Sequence, residues 1–309
     1  MPALPASRLA GHLFTFATVA VWSVAFVGNK VLLEHITPIE VMLYRFTLAW
    51  ILMLFLAPIA GSVRSRRHEL YFFLLGFLGI FVYFLLENYA LKFTQAANVG
   101  LYMGAIPILT ALLAHFFVRG ERFRAPLLLG FAVATAGMGL ILFEGRHFEL
   151  RLRGDLLALA AATVFALYSI LLKRAPAGYS PMLITRKSFF YGILLMLAWQ
   201  SIRGGPLHPE ALSIPAVAAN LIFLGLFASG LAFFLWQRGI ELIGPVSAGN
   251  YIYLVPLLTA VTGVIVLNEK LTGMMIAGGA LILLGLWIAQ WRTPPAQTLP
   301  PTGKSPGPL

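Results

Sequence analysis

Cysteine is absent from the 309 residues, so the chain can form neither a disulfide nor a thiolate metal site. Charge is scarce as well. Only 11% of residues are Asp, Glu, Lys or Arg, against about 25% in a soluble domain, too few to clothe a globular surface. Acids are scarcer than bases: 11 against 22, a net charge of +11. In a soluble chain that excess would suggest nucleic acid. Here most basic residues sit in short loops between apolar runs, a pattern of membrane topology, and no nucleic-acid partner is expected. No H-E-x-x-H, no G-x-S-x-G and no clustered carboxylate pair occurs, so neither a hydrolytic metal site nor a nucleophile triad is in view, and no cofactor or metal is expected. Arg8 precedes a long apolar run without a small-x-small cleavage site, which reads as a first span and not a removed leader.

What the chain has is apolar residues, 60% of the total, with a mean hydropathy of +0.87. Windows of about 20 apolar residues, the length that crosses a bilayer core, number ten: 12–33, 39–59, 70–91, 96–118, 125–143, 154–172, 181–202, 215–238, 245–267 and 272–291. The predicted fold is all-α, a polytopic membrane protein. Residues from 292 to 309 are rich in Pro, Thr and Gly and read as a disordered cytoplasmic tail.

The second half restates the first. GLYMGAIPILTALLAHFFVRGER, starting at Gly100, returns as GNYIYLVPLLTAVTGVIVLNEK, starting at Gly249. Both copies place Gly seven residues before Pro (Gly100 and Pro107, Gly249 and Pro256), and both end in an acid–base pair, Glu121-Arg122 and Glu269-Lys270. At an offset of 143, Gly11 matches Gly154, Lys30 matches Lys173 and Pro38 matches Pro181; at 148, Gly130 matches Gly278 and Gly137 matches Gly285. Each unit has five spans, an odd number, so the copies cross the bilayer in opposite senses, the inverted repeat of secondary transporters. The expected organisation is a cytoplasmic N-terminus (1–11), a first five-helix repeat (12–143), a connecting loop (144–153), a second, inverted repeat (154–291) and the tail.

With the N-terminus inside, twelve of the 22 Lys and Arg fall in cytoplasmic segments and seven in outer ones. The bias favours both termini in the cytoplasm of a multi-pass inner-membrane protein. The other three, Arg45, Arg186 and Lys187, lie within spans.

These motifs resemble the drug/metabolite transporter superfamily, in its ten-span EamA-type branch. The resemblance covers residues 12–291 and rests on VAVWSVAFVGNK in span one, LYRF with Arg45 in span two, ALKFTQAANVG and the proline motif of span four, and their echo SGLAFFLWQRGIELIGPVSAGNYIYLVPLLTA. It implies a secondary transporter that exports small metabolites by alternating access. Amino acids, aromatic or otherwise zwitterionic, are the substrates implied, as in bacterial aromatic amino acid exporters. Nucleotide sugars or other organic anions are the alternative. The glutamate that four-span multidrug relatives carry in their first span has no counterpart before Glu34.

Arg45 and Glu87 lie at similar depth in spans two and three. They read either as an outer gate or clamp for a carboxylate and an ammonium, or as a structural ion pair or snorkelling groups. Lys187 is the mirror case near an inner gate. Trp22, Tyr83, Tyr102, Tyr168, Trp236 and Tyr251 are the cavity candidates, able to stack on an aromatic substrate or meet an amine; ordinary packing is the competing role. Pro107 and Pro256 each remove a backbone hydrogen bond in mid-span and predict helix kinks, hinges or static bends, that free the carbonyls of Met103 and Ile252. The glycines of spans five and ten predict close packing, as scaffold or as the face of a weak homodimer; a monomer serves equally. An intramembrane enzyme and a channel are rivals from other classes. The first lacks a motif, and the second would want rings of selective groups by oligomerisation.

Overall fold

The computed structural model describes residues 6–56, 63, 65–94, 96–118, 123–145, 149–205, 207–267 and 272–290. The acid–base ends Glu121-Arg122 and Glu269-Lys270 and the tail 292–309 lie outside the described residues, as do residues 1–5 and 146–148.

Hydropathy dictates helices, because backbone amides in lipid must be satisfied within their own segment. Among the described residues, nine stretches are long and apolar enough to cross a membrane. Spans one and two are Ala6–Leu33 and Pro38–Leu56, and span three runs over Arg66–Phe93. Spans five, six and seven are Ala125–Leu142, Leu152–Lys173 and Pro181–Arg203. Span eight runs over Pro215–Ile243, and span ten is Gly273–Gln290. Span four is the remaining one, Asn98–Phe117, and span nine is not among the nine. Local chemistry sets the ends. Ser180 accepts from Leu183 N at 3.2 Å ahead of Pro181, a capped start with proline in the first turn. Gly244 ends span eight at φ +83, a conformation that costs a Cβ-bearing residue, and Pro245 opens span nine.

The repeat extends to features that no propensity scale predicts. Span three changes to a π-helix over Gly76–Val82, and span eight does so over Phe223–Leu231. At an offset of 149, Val82 matches Leu231, so both π turns end at equivalent positions, with Gly76 matching Gly225 and Phe84 matching Phe233. π turns widen a helix locally and occur at functional sites.

Spans four and nine are interrupted helices, each broken in the turn ahead of its proline, the turn from which proline removes a hydrogen bond. Span four is Ala96–Met103, a turn at Gly104 and Ala105, then Ile106–Phe117. Span nine is Pro245–Gly249, a 3-10 turn over Asn250–Tyr253, then Leu254–Leu267. Each proline therefore stands in the first turn of a second helix, where its missing N–H would be unpaired anyway. The two breaks meet: a Cβ on Gly249 would lie 3.7 Å from Pro107 Cα and 3.8 Å from Thr110 Cβ.

Lipid tails supply no hydrophobic drive between helices, so close packing must hold the bundle. Spans five and ten cross through glycine. A Cβ on Gly130 would sit 2.6 Å from Gly285 O, and one on Gly137 would sit 2.5 Å from Gly278 O. The repeat mate of Gly130 is Gly278 and that of Gly137 is Gly285, so this crossed pairing is what a two-fold relation between the halves requires. These stripes face each other inside one chain. The halves also interleave: a Cβ on Gly76 of span three would meet Ser188 O of span seven at 2.5 Å, and one on Gly225 of span eight would meet Leu48 Cδ2 of span two at 2.7 Å. The protein is an all-helical polytopic membrane protein of two inverted halves.

Candidate functional site

Below, the bundle end that holds the start of span one is called the N-terminal face, and the other end the opposite face. Between them, spans one, two, three, six, seven and eight bring an aromatic cluster together. Trp22 lies 5.3 Å from Trp236, 5.6 Å from Phe233 and 5.9 Å from Phe165. Phe165 lies 5.0 Å from Tyr83, 5.9 Å from Tyr168 and 5.6 Å from Trp236, centroid to centroid. Phe46, Phe84, Phe189 and Phe233 close the cluster on one side, with Phe46 at 5.0 Å from Phe84 and 5.1 Å from Phe189. Most pairs are edge-on or tilted, the favoured aromatic geometry.

Four of the six aromatic candidates, Trp22, Tyr83, Tyr168 and Trp236, are thus gathered. Tyr102 and Tyr251 are not: among the described residues no ring contact joins either to the cluster. Tyr251 instead meets His12 Nδ1 through its hydroxyl at 2.9 Å. Phe165 and Phe233 are the hubs. Phe165 carries no sequence signal beyond hydrophobicity. Phe84 and Phe233 do carry one, their match at an offset of 149.

Two charges of opposite sign adjoin the cluster. Arg45 is 6% exposed, its Nε donates to Ser229 Oγ at 2.8 Å, and its guanidinium carbon stands 5.0 Å from the Phe84 centroid and 5.2 Å from that of Phe46. Such contacts are cation–π geometry. Glu87 is 7% exposed and accepts from Tyr83 Oη at 2.9 Å. The two attract through space, yet among the described residues no carboxylate oxygen lies within 4 Å of the Arg45 nitrogens. Arg45 is buried against Ser229, Phe46 and Phe84. A contact ion pair does not describe it. Asn88, beside Glu87, leaves its Oδ1 buried and without a partner among the described residues.

Lys187 is not in the cluster. Its Nζ bonds Glu69 Oε1 at 2.6 Å, and the Tyr191 hydroxyl donates to the same oxygen, tying span seven to span three at the N-terminal face. At the opposite face the buried Glu40 accepts from Thr37 N and Oγ1 at 2.8 and 2.7 Å, and it also takes His208 N, with His208 Nδ1 at 3.1 Å. Asp155 accepts from Thr94 Oγ1 at 2.7 Å, Asn98 Nδ2 at 3.1 Å and Arg151 N at 2.8 Å. Sequence reasoning missed Glu40, Glu69 and Asp155, which sit in first helical turns where acids are ordinarily caps. Among the described residues no three His, Asp or Glu side chains gather for a metal ion.

Inverted five-span halves around broken helices and a buried, polar-edged aromatic centre define a membrane carrier. The EamA-like transporter family model matches twice, over residues 9–143 and 152–290, and the chain belongs to that family. It is a membrane transporter that acts on small molecules, and not an enzyme. An "Uncharacterized transporter" of Archaeoglobus fulgidus is 27% identical over 90% of this chain and 96% of its own. A "Probable terminal-alkyne amino-acid exporter" of Streptantibioticus cattleyicolor is 27% identical over 89% of this chain and 92% of its own. A solved chain described as "Crystal structure of protein" superimposes with a TM-score of 0.75 at 21% identity, over 92% of this chain and 97% of that one, a likeness of fold.

Proposed function

We propose that this protein exports amino acids with aromatic or other apolar side chains from the cytoplasm across the inner membrane, by alternating access. One observation carries the reading: Arg45 and Glu87 are buried beside the aromatic cluster with opposite charges and no ion-pair contact between them. A zwitterion matches that pair, its carboxylate at the guanidinium and its ammonium at the carboxylate, while its side chain lies among the rings. The likeness to a probable amino-acid exporter supports it. So does a difficulty for the organic-anion alternative. A phosphate group would want several bases together, and Lys187 is engaged by Glu69 at the N-terminal face.

In this reading the Glu69–Lys187 and Glu40–His208 contacts are the closures of the two faces, and the N-terminal face is cytoplasmic, in keeping with Arg66 and Arg67 exposed there. The breaks in spans four and nine, which touch at Gly249 and Pro107, let the two halves rock about them. Efflux from proteoliposomes loaded with a panel of amino acids, with and without a pH gradient, tests the proposal. Saturable counterflow of amino acids is the expected result. Single-channel currents, or counterflow of sugar phosphates but of no amino acid, would sink it.

A further inference from the structure

Two tryptophans share the aromatic cluster, and their polar edges are treated differently. Trp22 Nε1 donates to Ala228 O at 3.0 Å, an acceptor in the π turn of span eight. Trp236, whose ring centroid is 5.3 Å away, is 0% exposed, and its Nε1–H has no acceptor among the described residues. Its neighbour on the same turn is satisfied: Gln237 Oε1 accepts from Thr185 Oγ1 at 2.7 Å. Buried tryptophan usually finds a partner for its N–H, because an unmade hydrogen bond in a dry interior is unfavourable.

The repeat gives that orphan a place. Trp236 follows Glu87 by 149 positions, the offset that superimposes the two π turns. The relation between the halves therefore carries the acceptor Glu87 on span three onto the donor Trp236 on span eight. Glu87 answers to the headgroup of the cargo; its counterpart is positioned for the other end.

We propose that the Trp236 indole N–H is a specificity-determining donor. It takes a hydrogen-bond acceptor on the side chain of an amino acid whose headgroup is held at Arg45 and Glu87. The preferred cargo is then an amino acid with a carbonyl, ether or similar oxygen at the far end of an apolar side chain. The inference rests on the amino-acid reading above. In the conformation described the N–H is sealed by its neighbours, so the acceptor reaches it when the cluster parts around the cargo. A site built for a hydrogen bond discriminates strongly against the analogue that lacks it, since its own polar group is then left unpaired. The rival account is a donor eased by weak N–H···π contact with the Trp22 or Phe165 ring, with no part in selection.

The test measures efflux kcat/KM in proteoliposomes for 4-acetylphenylalanine and for 4-isopropylphenylalanine, which has the same outline and no acceptor. The expected result is a preference for the acetyl compound that falls about tenfold in Trp236→Phe, equivalent to about 1.4 kcal/mol. Trp22→Phe removes an indole N–H already engaged by backbone, and it keeps the preference whatever it does to the rates. Where Trp236→Phe does not fold, 3-benzothienylalanine at position 236 keeps the bicyclic outline and replaces N–H by sulfur. A preference unchanged at position 236 overturns this inference alone. Failure of the wild type to export any amino acid of the panel overturns the amino-acid reading, and this inference with it.

Discussion

Arg45 Nε donates to Ser229 Oγ across 2.8 Å, and this bond joins span two of the first half to the π turn of the second. A guanidinium carries five N–H donors, and one of them is spent on holding the group in place over Phe84 and Phe46. Ser229 orients the group, and under the proposed function the remaining edge of Arg45 is left to meet a cargo carboxylate. Arg45→Ala should lower amino-acid efflux by about 10- to 100-fold, the worth of a hydrogen bond to a charged group at about 1.5–3 kcal/mol. Arg45→Lys should not restore it, because a point charge cannot reproduce the planar fork. Ser229→Ala should weaken efflux less, by mispositioning. Efflux rates normalised to inserted protein check all three.

Glu69 and Lys187 are about a third exposed, at 32% and 28%. A partly solvated pair of this kind is worth about 0–1 kcal/mol, enough to bias a conformational equilibrium by up to about fivefold and too little to unfold the protein. Lys187→Ala should therefore favour opening at the N-terminal face with little change in melting temperature. The absence of native cysteine makes the measurement direct. A single cysteine at Leu183, buried near that end of span seven, should be labelled several-fold faster in Lys187→Ala. The swap of Glu69→Lys with Lys187→Glu should bring the labelling rate back.

Glu40 is fully buried and accepts from two backbone amides, Thr37 N and His208 N. Glu40→Ala strands both donors, at about 1–3 kcal/mol each. With about 2–4 °C of melting temperature per kcal/mol for larger domains, a fall on the order of 5–20 °C is expected in thermal unfolding of the detergent-solubilised protein. His208→Ala leaves its own backbone bond intact and should cost less.

Gly137 and Gly139 are two residues apart on span five, with opposite surroundings. A Cβ at Gly137 would press on Gly278 O at 2.5 Å, whereas one at Gly139 would meet nothing within 4 Å. Gly137→Ala should separate spans five and ten and lower stability by about 1–3 kcal/mol, as overpacking does. Gly139→Ala should be neutral or gain up to about 1 kcal/mol from helix propensity. Paired melting curves decide it.

Pro107 and Pro256 open the second helices of their spans, and the breaks lie before them. Pro107→Ala and Pro256→Ala should accordingly leave efflux within about threefold of wild type, since a first-turn proline replaces an unpaired N–H. A much larger loss in either would mark the proline itself as the hinge.

The spans were legible because each is a local property, about 20 apolar residues between charged or proline-rich loops. The repeat was legible too, from Gly11 and Gly154 to Gly137 and Gly285. The centre was legible only in part. Trp22, Tyr83, Tyr168 and Trp236 could be picked because each is an amphipathic aromatic near polar neighbours. Phe165 could not, being one of 24 phenylalanines with nothing local to set it apart. Tyr102 and Tyr251 satisfied the same sequence rule and turned elsewhere.

By itself the sequence determined the number of crossings, their alternation and the opposed sense of the two halves, since hydropathy and an odd span count act without reference to distant contacts. Tertiary structure alone decided which polar groups meet: Lys187 with Glu69, Arg45 with Ser229, Glu40 with His208, and Trp236 with none among the described residues. Partner choice depends on where helices cross and how far each is rotated. Those are fixed by glycine contacts such as Gly137 on Gly278 and by the π turns of spans three and eight, which shift the face that every following residue presents.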